Sequence, residues 1–479
     1  GSAAQTGSSS SLALFALSIY CLLILPRMLS YGMFFDGVTY ASISRNLAVG
    51  AGSAWAPHYT ATLYPVFYDH PPLHFWLQSV AFRVFGDHAA VEHVWGFALG
   101  LYILAMMRLI WRRCASIAGV RPGGAWFPVL LLTSIPMTSW LLANNMLEIA
   151  MTACTTTAVW FAMVAMDGAL WPGAVLAGIM TLAAFLTKGP FGLFPLAAPF
   201  GAWLAMRPGS LRQATAATTI MLVTVSLALM CIIAIRADAA EFFRHYVTGQ
   251  LLASLAGHRE RTGNRLSLLY TLVREIAVPL GLCLAGFAVE WLRTRARPRP
   301  AATRLPLGYL FIAMSASFPA MLGPKQMGWY VFPSLPFYAL TLAALSGPWA
   351  VRIEDALRSH RALDRRVRVA ALVMVVVAVA LMAAEAGKAR GAKDYHHDFS
   401  VQRLSIEPGQ TVSVYPASLA SNWVLVANLQ RCYRLSLSDS IGLRYLVSTT
   451  DSAGAVAIRD HYHVIYPRDP ARYVVLERE

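Results

Sequence analysis

AWFPVLLLTSIPMTSWLLANNMLEIAMTACTTTAVWFAMVAM, residues 125–166, carries a single charge, Glu148, in 42 residues. On either side of Asn144-Asn145 it holds an apolar run close to the roughly 20 residues a membrane-crossing helix needs. Backbone polar groups in lipid must be satisfied within their own segment, so both runs read as helices and the asparagines as a tight polar hairpin. The whole chain follows this grammar: 57% of its 479 residues are apolar and 13% charged, against about 25% charged in a soluble domain. The mean hydropathy of +0.53 also excludes a disordered chain. The expected class is an all-α polytopic membrane protein.

Working outward, eleven apolar segments qualify as spans, at about 11–31, 89–111, 125–143, 146–166, 173–187, 190–206, 214–235, 272–292, 305–322, 329–347 and 369–386. A second abrupt turn falls at Thr187-Lys188-Gly189-Pro190. Residues 1–10 start without Met and read as an expression-tag remnant with a short polar start, residues 11–386 as the membrane domain, and 387–479 as a C-terminal domain. Within that tail TVSVYP, NWVLVANL and RYVVLERE read as β-rich runs, giving a small α/β domain outside the membrane.

Lys and Arg outnumber Asp and Glu 39 to 24, a formal +15. The excess is distributed between spans, so it reads as topogenic charge and not as nucleic-acid binding. With the N-terminus inside, the cytoplasmic loops receive Arg112, Arg113 and Arg121, then Arg207 and Arg212, then the cluster from Arg293 to Arg304, then the run from Arg352 to Arg368. External loops become 32–88 and 236–271. The second defies the charge rule, with Arg236, Arg244, Arg259, Arg261 and Arg265 beside His245 and His258. Arg is suited to phosphate oxygens, so an outward anion site is one reading and a solvated loop the other. In the first loop, residues 38–48 and 71–85 have the pattern of helices lying in the interface. The six cysteines form no metal or redox spacing.

Ionisable groups at span mouths are costly and therefore candidates for function. They gather on the outer face: Asp36, Asp69-His70, Glu148, Lys188, the Arg/His loop and Lys325. Carboxylates beside cations suit transfer from a phosphorylated donor to a hydroxyl, one acid taking the acceptor proton while cations stabilise the leaving phosphate. Asp36 equally suits an N-cap of the following helix, and Gly37 leaves room for a substrate to approach the backbone.

FFDGVTYASISRNLA and FYDHPPLHFWLQSVAFRVFG, followed in order by NNMLEIAMT, AFLTKGPFGLFP, HYVTGQLLASLAGHRERTG and GPKQMGWYVFPSLPFYALTLA, resemble the membrane glycosyltransferases of the C-type fold (GT-C). The likeness is greatest to the lipid A aminoarabinose transferase and protein O-mannosyltransferase group, across residues 11–345. It implies an inverting transfer from a polyprenyl-phosphate-linked sugar, as co-substrate, to a glycolipid, glycan or protein acceptor. The site would face the periplasm from a bacterial cytoplasmic (inner) membrane, in a monomer embedded in membrane lipid. Asp36 matches the family's acidic residue associated with base catalysis or with positioning the acceptor. Asp69 and Glu148 match further acids, Glu148 standing where Asp is usual. Lys188, Lys325 and Tyr330 match positions associated with the donor phosphate, as does His70, which stands where Lys is usual; Arg259 and Arg265 of the external loop join them. Asp69 with His245 is one reading of a divalent metal site. The rival classes are a lipid transporter or flippase, which would place polar groups near the bilayer midplane, and an inactive lipid-binding relative.

This orientation has a direct check. Alkaline phosphatase fused after residue 387 is expected to be active and a fluorescent protein fused there dark; the reverse result would put the acids and Lys188 in the cytoplasm.

Overall fold

The computed structural model describes residues 3–118, 123–206, 209–256, 263–264, 266–294, 304–323, 325–389, 406–453, 461–466 and 473–478. The chain forms two compact units, one made of Gly1–Pro26, Gly96–Leu142 and Leu147–Leu381, the other of Arg27–Trp95, Ala143–Met146 and Met382–Glu479.

The first unit is a helix bundle. Among the described residues of the chain, nine helices are long and apolar enough to cross a membrane, against the eleven expected. The difference has two sources. The expected 125–143 span is two eight-residue helices, Phe127–Ser134 and Pro136–Ala143. Pro136 has no N–H to continue the first helix and pushes the preceding Ile135 into an extended conformation (φ −74°, ψ 121°). The buried Glu275 carboxylate accepts from the Met137 N–H at 2.8 Å, satisfying a donor at the start of the second. The expected 173–187 and 190–206 spans lie in one apolar run, Leu170–Ala205. That run still turns sharply at Gly189, whose φ of +74° suits glycine. Past the turn, Gly192 returns against the Ala184 backbone so closely that a Cβ would lie 2.4 Å from the Ala184 carbonyl carbon. Gly201 and Gly308 let two further helices touch: a Cβ on Gly308 would meet the Gly201 carbonyl oxygen at 2.4 Å. Close approach through small residues is the usual basis of helix contact in a membrane.

The second unit combines the loop after the first span with the tail. Helices Phe35–Ala48 and Leu73–Phe85 form where the sequence pattern predicts two helices. Met33, Val38, Ala41, Phe82, Val91 and Ala427 form one core, which brings the tail into the packing of the loop. Among its described residues the tail contains a five-stranded sheet in the order β2-β1-β3-β5-β4, with β1 Thr411–Tyr415, β2 Ser436–Ser438, β3 Tyr445–Thr449, β4 Tyr462–Tyr466 and β5 Tyr473–Arg478. β1 pairs in parallel with β2 and β3, while β5 runs antiparallel to β3 and β4.

NWVLVANL is not a strand. It opens the helix Trp423–Tyr433, with Asn422 as N-cap accepting from the Leu425 N–H at 3.2 Å. Tertiary contacts override the β preference of its two valines. Arg45, 1% exposed, donates to the carbonyls of Gln430 (2.8 Å) and Arg431 (3.2 Å) on this helix. Arg431 in turn reaches Asp87 at 2.7 Å and both oxygens of the buried Glu92 at 3.1 and 3.2 Å, and lies over the Phe82 ring. Burial alone would raise the Asp87 carboxyl, but the guanidiniums of Arg431, Arg45 and Arg434 outweigh it and hold Asp87 below the usual carboxylate range.

Arg431→Ala would leave Glu92 buried and without its partner, so it is expected to destabilise this unit by about 3–5 kcal/mol. Denaturant or thermal unfolding in detergent measures this; a loss under 1 kcal/mol would show that the C-terminal helix is held by its apolar contacts alone.

Candidate active site

In the helix bundle, Glu148 sits in the first turn of the Leu147–Met166 helix and Lys188 ends the Leu170–Lys188 helix. Glycine at 189 stops the second helix just where Lys188 meets Glu148, and the Lys188 ammonium forms an ion pair with Glu148 Oε1. Both side chains are buried, Glu148 completely and Lys188 to 5% exposure. Glu148 Oε2 is buried with no hydrogen-bond partner. The ammonium also lies 4.9 Å from the centre of the Tyr330 ring, a cation–π contact. Tyr330 packs on Phe191 (5.2 Å between ring centres) and edge-on to Trp329, which stacks on Trp140 at 5.8 Å. A Cβ on Gly189 would meet the Tyr246 hydroxyl at 2.0 Å, which places that phenol against the turn. Three residues that the sequence pointed to separately, Glu148, Lys188 and Tyr330, are therefore in contact. Trp140 and Tyr246 were not legible in advance; aromatic residues are abundant in this chain and no spacing singles these out.

Lys325 is half-buried beside Gln326, whose amide donates to the carbonyls of Met321 (2.9 Å) and Gly323 (2.6 Å). His245 lies on the exposed side of the helix Ala237–Tyr246, with Arg244 at 3.2 Å and Glu241 at 3.9 Å. Arg259 and Arg265, with Arg261 and His258, lie outside the described residues.

In the other unit, Asp36 is the second residue of the Phe35–Ala48 helix, and Phe34 occupies the cap position. Asp36 is thus inside the first turn and is not the N-cap. Its charge is felt at the buried Tyr59, whose phenol is raised first by burial and further by Asp36, while the Thr39 hydroxyl lies 3.1 Å from it. Gly37 does not make room for a substrate. A Cβ there would lie 1.8 Å from the Asn144 carbonyl oxygen. The hairpin asparagines fill that space: Asn144 Oδ1 accepts from the Phe34 N–H at 2.6 Å, Asn145 donates to the Gly37 carbonyl at 3.1 Å, and Gln78 donates to Asn145 Oδ1 at 2.7 Å. Tyr40, one turn beyond Asp36, meets the His70 ring edge-on at 5.8 Å, and Phe67 flanks the same imidazole at 6.3 Å. Asp69 and His70 are both half-buried and immediately precede Pro71-Pro72 at the start of the Leu73–Phe85 helix.

Asp69 and His245 belong to different units. Among the described residues, no three or more His, Cys, Asp and Glu side chains gather as a metal cage would require.

Residues 69–235 match a protein-family model described as dolichyl-phosphate-mannose-protein mannosyltransferase. Among solved structures, the chain is similar to ArnT from Cupriavidus metallidurans bound to undecaprenyl phosphate, with 18% identity, a TM-score of 0.62 and 96% of each chain covered. The apo form of that protein gives 17% identity, a TM-score of 0.63 and 97% coverage of each. The apo oligosaccharyltransferase of Archaeoglobus fulgidus follows at 13% identity and a TM-score of 0.54, covering 95% of this chain and 73% of the other. No curated protein matches the sequence. The chain therefore has the C-type glycosyltransferase fold, and the resemblance read from its motifs is borne out.

Two outcomes are expected from this geometry. Lys188→Met strands the Glu148 carboxylate and should cost about 3–5 kcal/mol of stability, whereas pairing it with Glu148→Gln should restore most of the melting temperature; an unstable double variant would show that the site needs the charges for folding itself. The second concerns His74, buried next to Tyr40 and Trp95 and kept neutral, its pKa pushed down to about 3 by desolvation. The unfolded chain takes up a proton below about 6.5 while the folded one does not, so stability is lost as pH falls through that window, by about 2 kcal/mol between pH 7 and 5. His74→Gln should flatten that part of the profile, and an unchanged acid slope would exclude His74 as its source.

Proposed function

We propose that the protein is an inverting glycosyltransferase. It takes a sugar from a polyprenyl-phosphate-linked donor at the outer face of the membrane and passes it to a lipid, glycan or protein acceptor. The observation that carries this reading is the buried Lys188–Glu148 pair against Tyr330, in a fold whose relative ArnT has been crystallised with undecaprenyl phosphate.

An ammonium has three donors. Glu148 takes one of them, so Lys188 keeps the capacity to donate to an oxygen of the donor phosphate while remaining fixed. Glu148 then acts as a positioning residue: it holds the ammonium at the helix end, out of water. Lys325, His70, Arg259 and Arg265 are the further candidates for the phosphate. As the anomeric carbon–oxygen bond breaks, negative charge builds on the departing polyprenyl phosphate, and pre-placed cations stabilise that charge more than the ground state. Asp36, in the first turn of its helix, receives the acceptor proton as the hydroxyl attacks the opposite face of the sugar. Asp69, beside His70, is the alternative acid for this step.

Asp36→Asn tests the assignment. The change is nearly isosteric, and with Phe34 in the cap position it removes no capping carboxylate. With purified protein in liposomes and a panel of polyprenyl-phosphate sugars, transfer to a hydroxyl acceptor is expected to fall about 10²–10⁴-fold with donor binding retained. An acceptor phosphate is already ionised and would show a smaller loss, mainly in affinity. Mass spectrometry of lipids and glycans from a deletion strain identifies the natural pair. Donor that moves across the bilayer without a glycosidic product would instead establish a flippase.

A further inference from the structure

At the end of the helix bundle opposite the Lys188–Glu148 pair, the Leu170–Lys188 and Leu211–Ile235 helices both begin. Between their first turns lies a shallow groove of about 580 Å³, lined among others by Trp171, Leu211, Arg212, Thr215, Ala216 and Ile220. By helix rise, Trp171 is about 26 Å from Lys188 along the same helix. On the charge reading of the sequence this is the cytoplasmic end.

Several polar groups around the groove already have partners. The Thr215 hydroxyl donates to the Leu211 carbonyl at 3.0 Å, so it asks nothing of a ligand. The Gln213 amide donates to the carbonyls of Ala165 and Met166 at 3.1 and 3.2 Å, closing the end of the neighbouring helix. Arg113, the nearby cation, is paired with Asp167 at 2.7 Å. Arg212 makes no ion pair with any described residue, yet it stands on the rim of an otherwise apolar groove. Trp171, 68% exposed, has the ring type that settles at headgroup level. An unbalanced guanidinium, an interfacial indole and an apolar channel between two lipid-facing helices match the parts of one molecule: phosphate, headgroup boundary and acyl chain.

We infer that this groove is a binding site for an anionic phospholipid of the cytoplasmic leaflet, with an acyl chain between the two helices and the phosphate on Arg212. A zwitterionic lipid carries a compensating cation in its headgroup and gains less from an unpaired Arg. A polyprenyl phosphate is the other phosphate-bearing lipid in question, and its proposed partner Lys188 lies at the far end of the bundle. The inference does not depend on the transferase reading.

Native mass spectrometry of the detergent-solubilised full chain tests it, with phosphatidylglycerol, phosphatidylcholine of the same chains, and undecaprenyl phosphate as probes. Wild type is expected to retain one phosphatidylglycerol in about fivefold preference to phosphatidylcholine, the scale of one Arg near an anionic lipid. Arg212→Gln should equalise the two, with an unchanged melting temperature because the side chain is exposed. Ala216→Trp should fill the groove and abolish retention of both. Equal retention of the two phospholipids by wild type, a preference that survives Arg212→Gln, or undecaprenyl phosphate held more tightly than phosphatidylglycerol in an Arg212-dependent manner would each overturn the assignment.

Discussion

A charge taken out of water must have its partner beside it, and this requirement organises both units. In the bundle, Glu148 and Lys188 are buried at the ends of two helices, and their ion pair, with the Tyr330 ring beside the ammonium, makes that placement tolerable. In the loop-and-tail unit, Arg45 and Arg431 are the buried cations, and Glu92, Asp87 and two helix-end carbonyls are their partners. The two sets differ in one respect. The Arg431–Glu92 contact is bidentate, with both carboxylate oxygens engaged. The Glu148–Lys188 pair leaves Oε2 without a partner. A saturated network belongs to a structural role, whereas an incomplete one retains a polar demand inside an apolar site.

The asparagine hairpin is the second organising element. It is two residues long, and its side chains are spent on the backbone of Phe34 and Gly37 and on Gln78. This is why position 37 tolerates no Cβ and why the acid next to it, Asp36, is held at a fixed place in the first turn of its helix. The chain then passes directly into the helix that carries Glu148. A short polar turn thus pins the start of the helix that carries Asp36.

Aromatic rings do much of the remaining positioning. Tyr330 supports the Lys188 ammonium and is itself held by Phe191 and Trp329. His70 rests against Tyr40 and Phe67. Rings of this kind supply large rigid contact areas at small entropic cost and keep cations near them partly desolvated, which strengthens any later contact with a phosphate.

Hydropathy alone determined the membrane class and the helical character of nearly every span, and the ordered motifs carried the resemblance that named the fold. These are properties of composition and local sequence, because lipid demands long apolar helices whatever they pack against. Local sequence also located the turn at Gly189 and the two helices of the loop after the first span. It misread NWVLVANL, where two valines suggested a strand but Asn422 and the contacts to Arg45 enforce a helix. It missed the break at Pro136, which looks like the middle of a span until Glu275 is found serving the Met137 N–H. It also gave Gly37 to a substrate when the Asn144 carbonyl occupies that space. Only the tertiary structure paired Glu148 with Lys188, 40 residues apart, and tied Arg45 to a helix more than 370 residues downstream. Pattern reports which face a residue prefers; which charge stands opposite it is decided by the packing of segments remote in the chain.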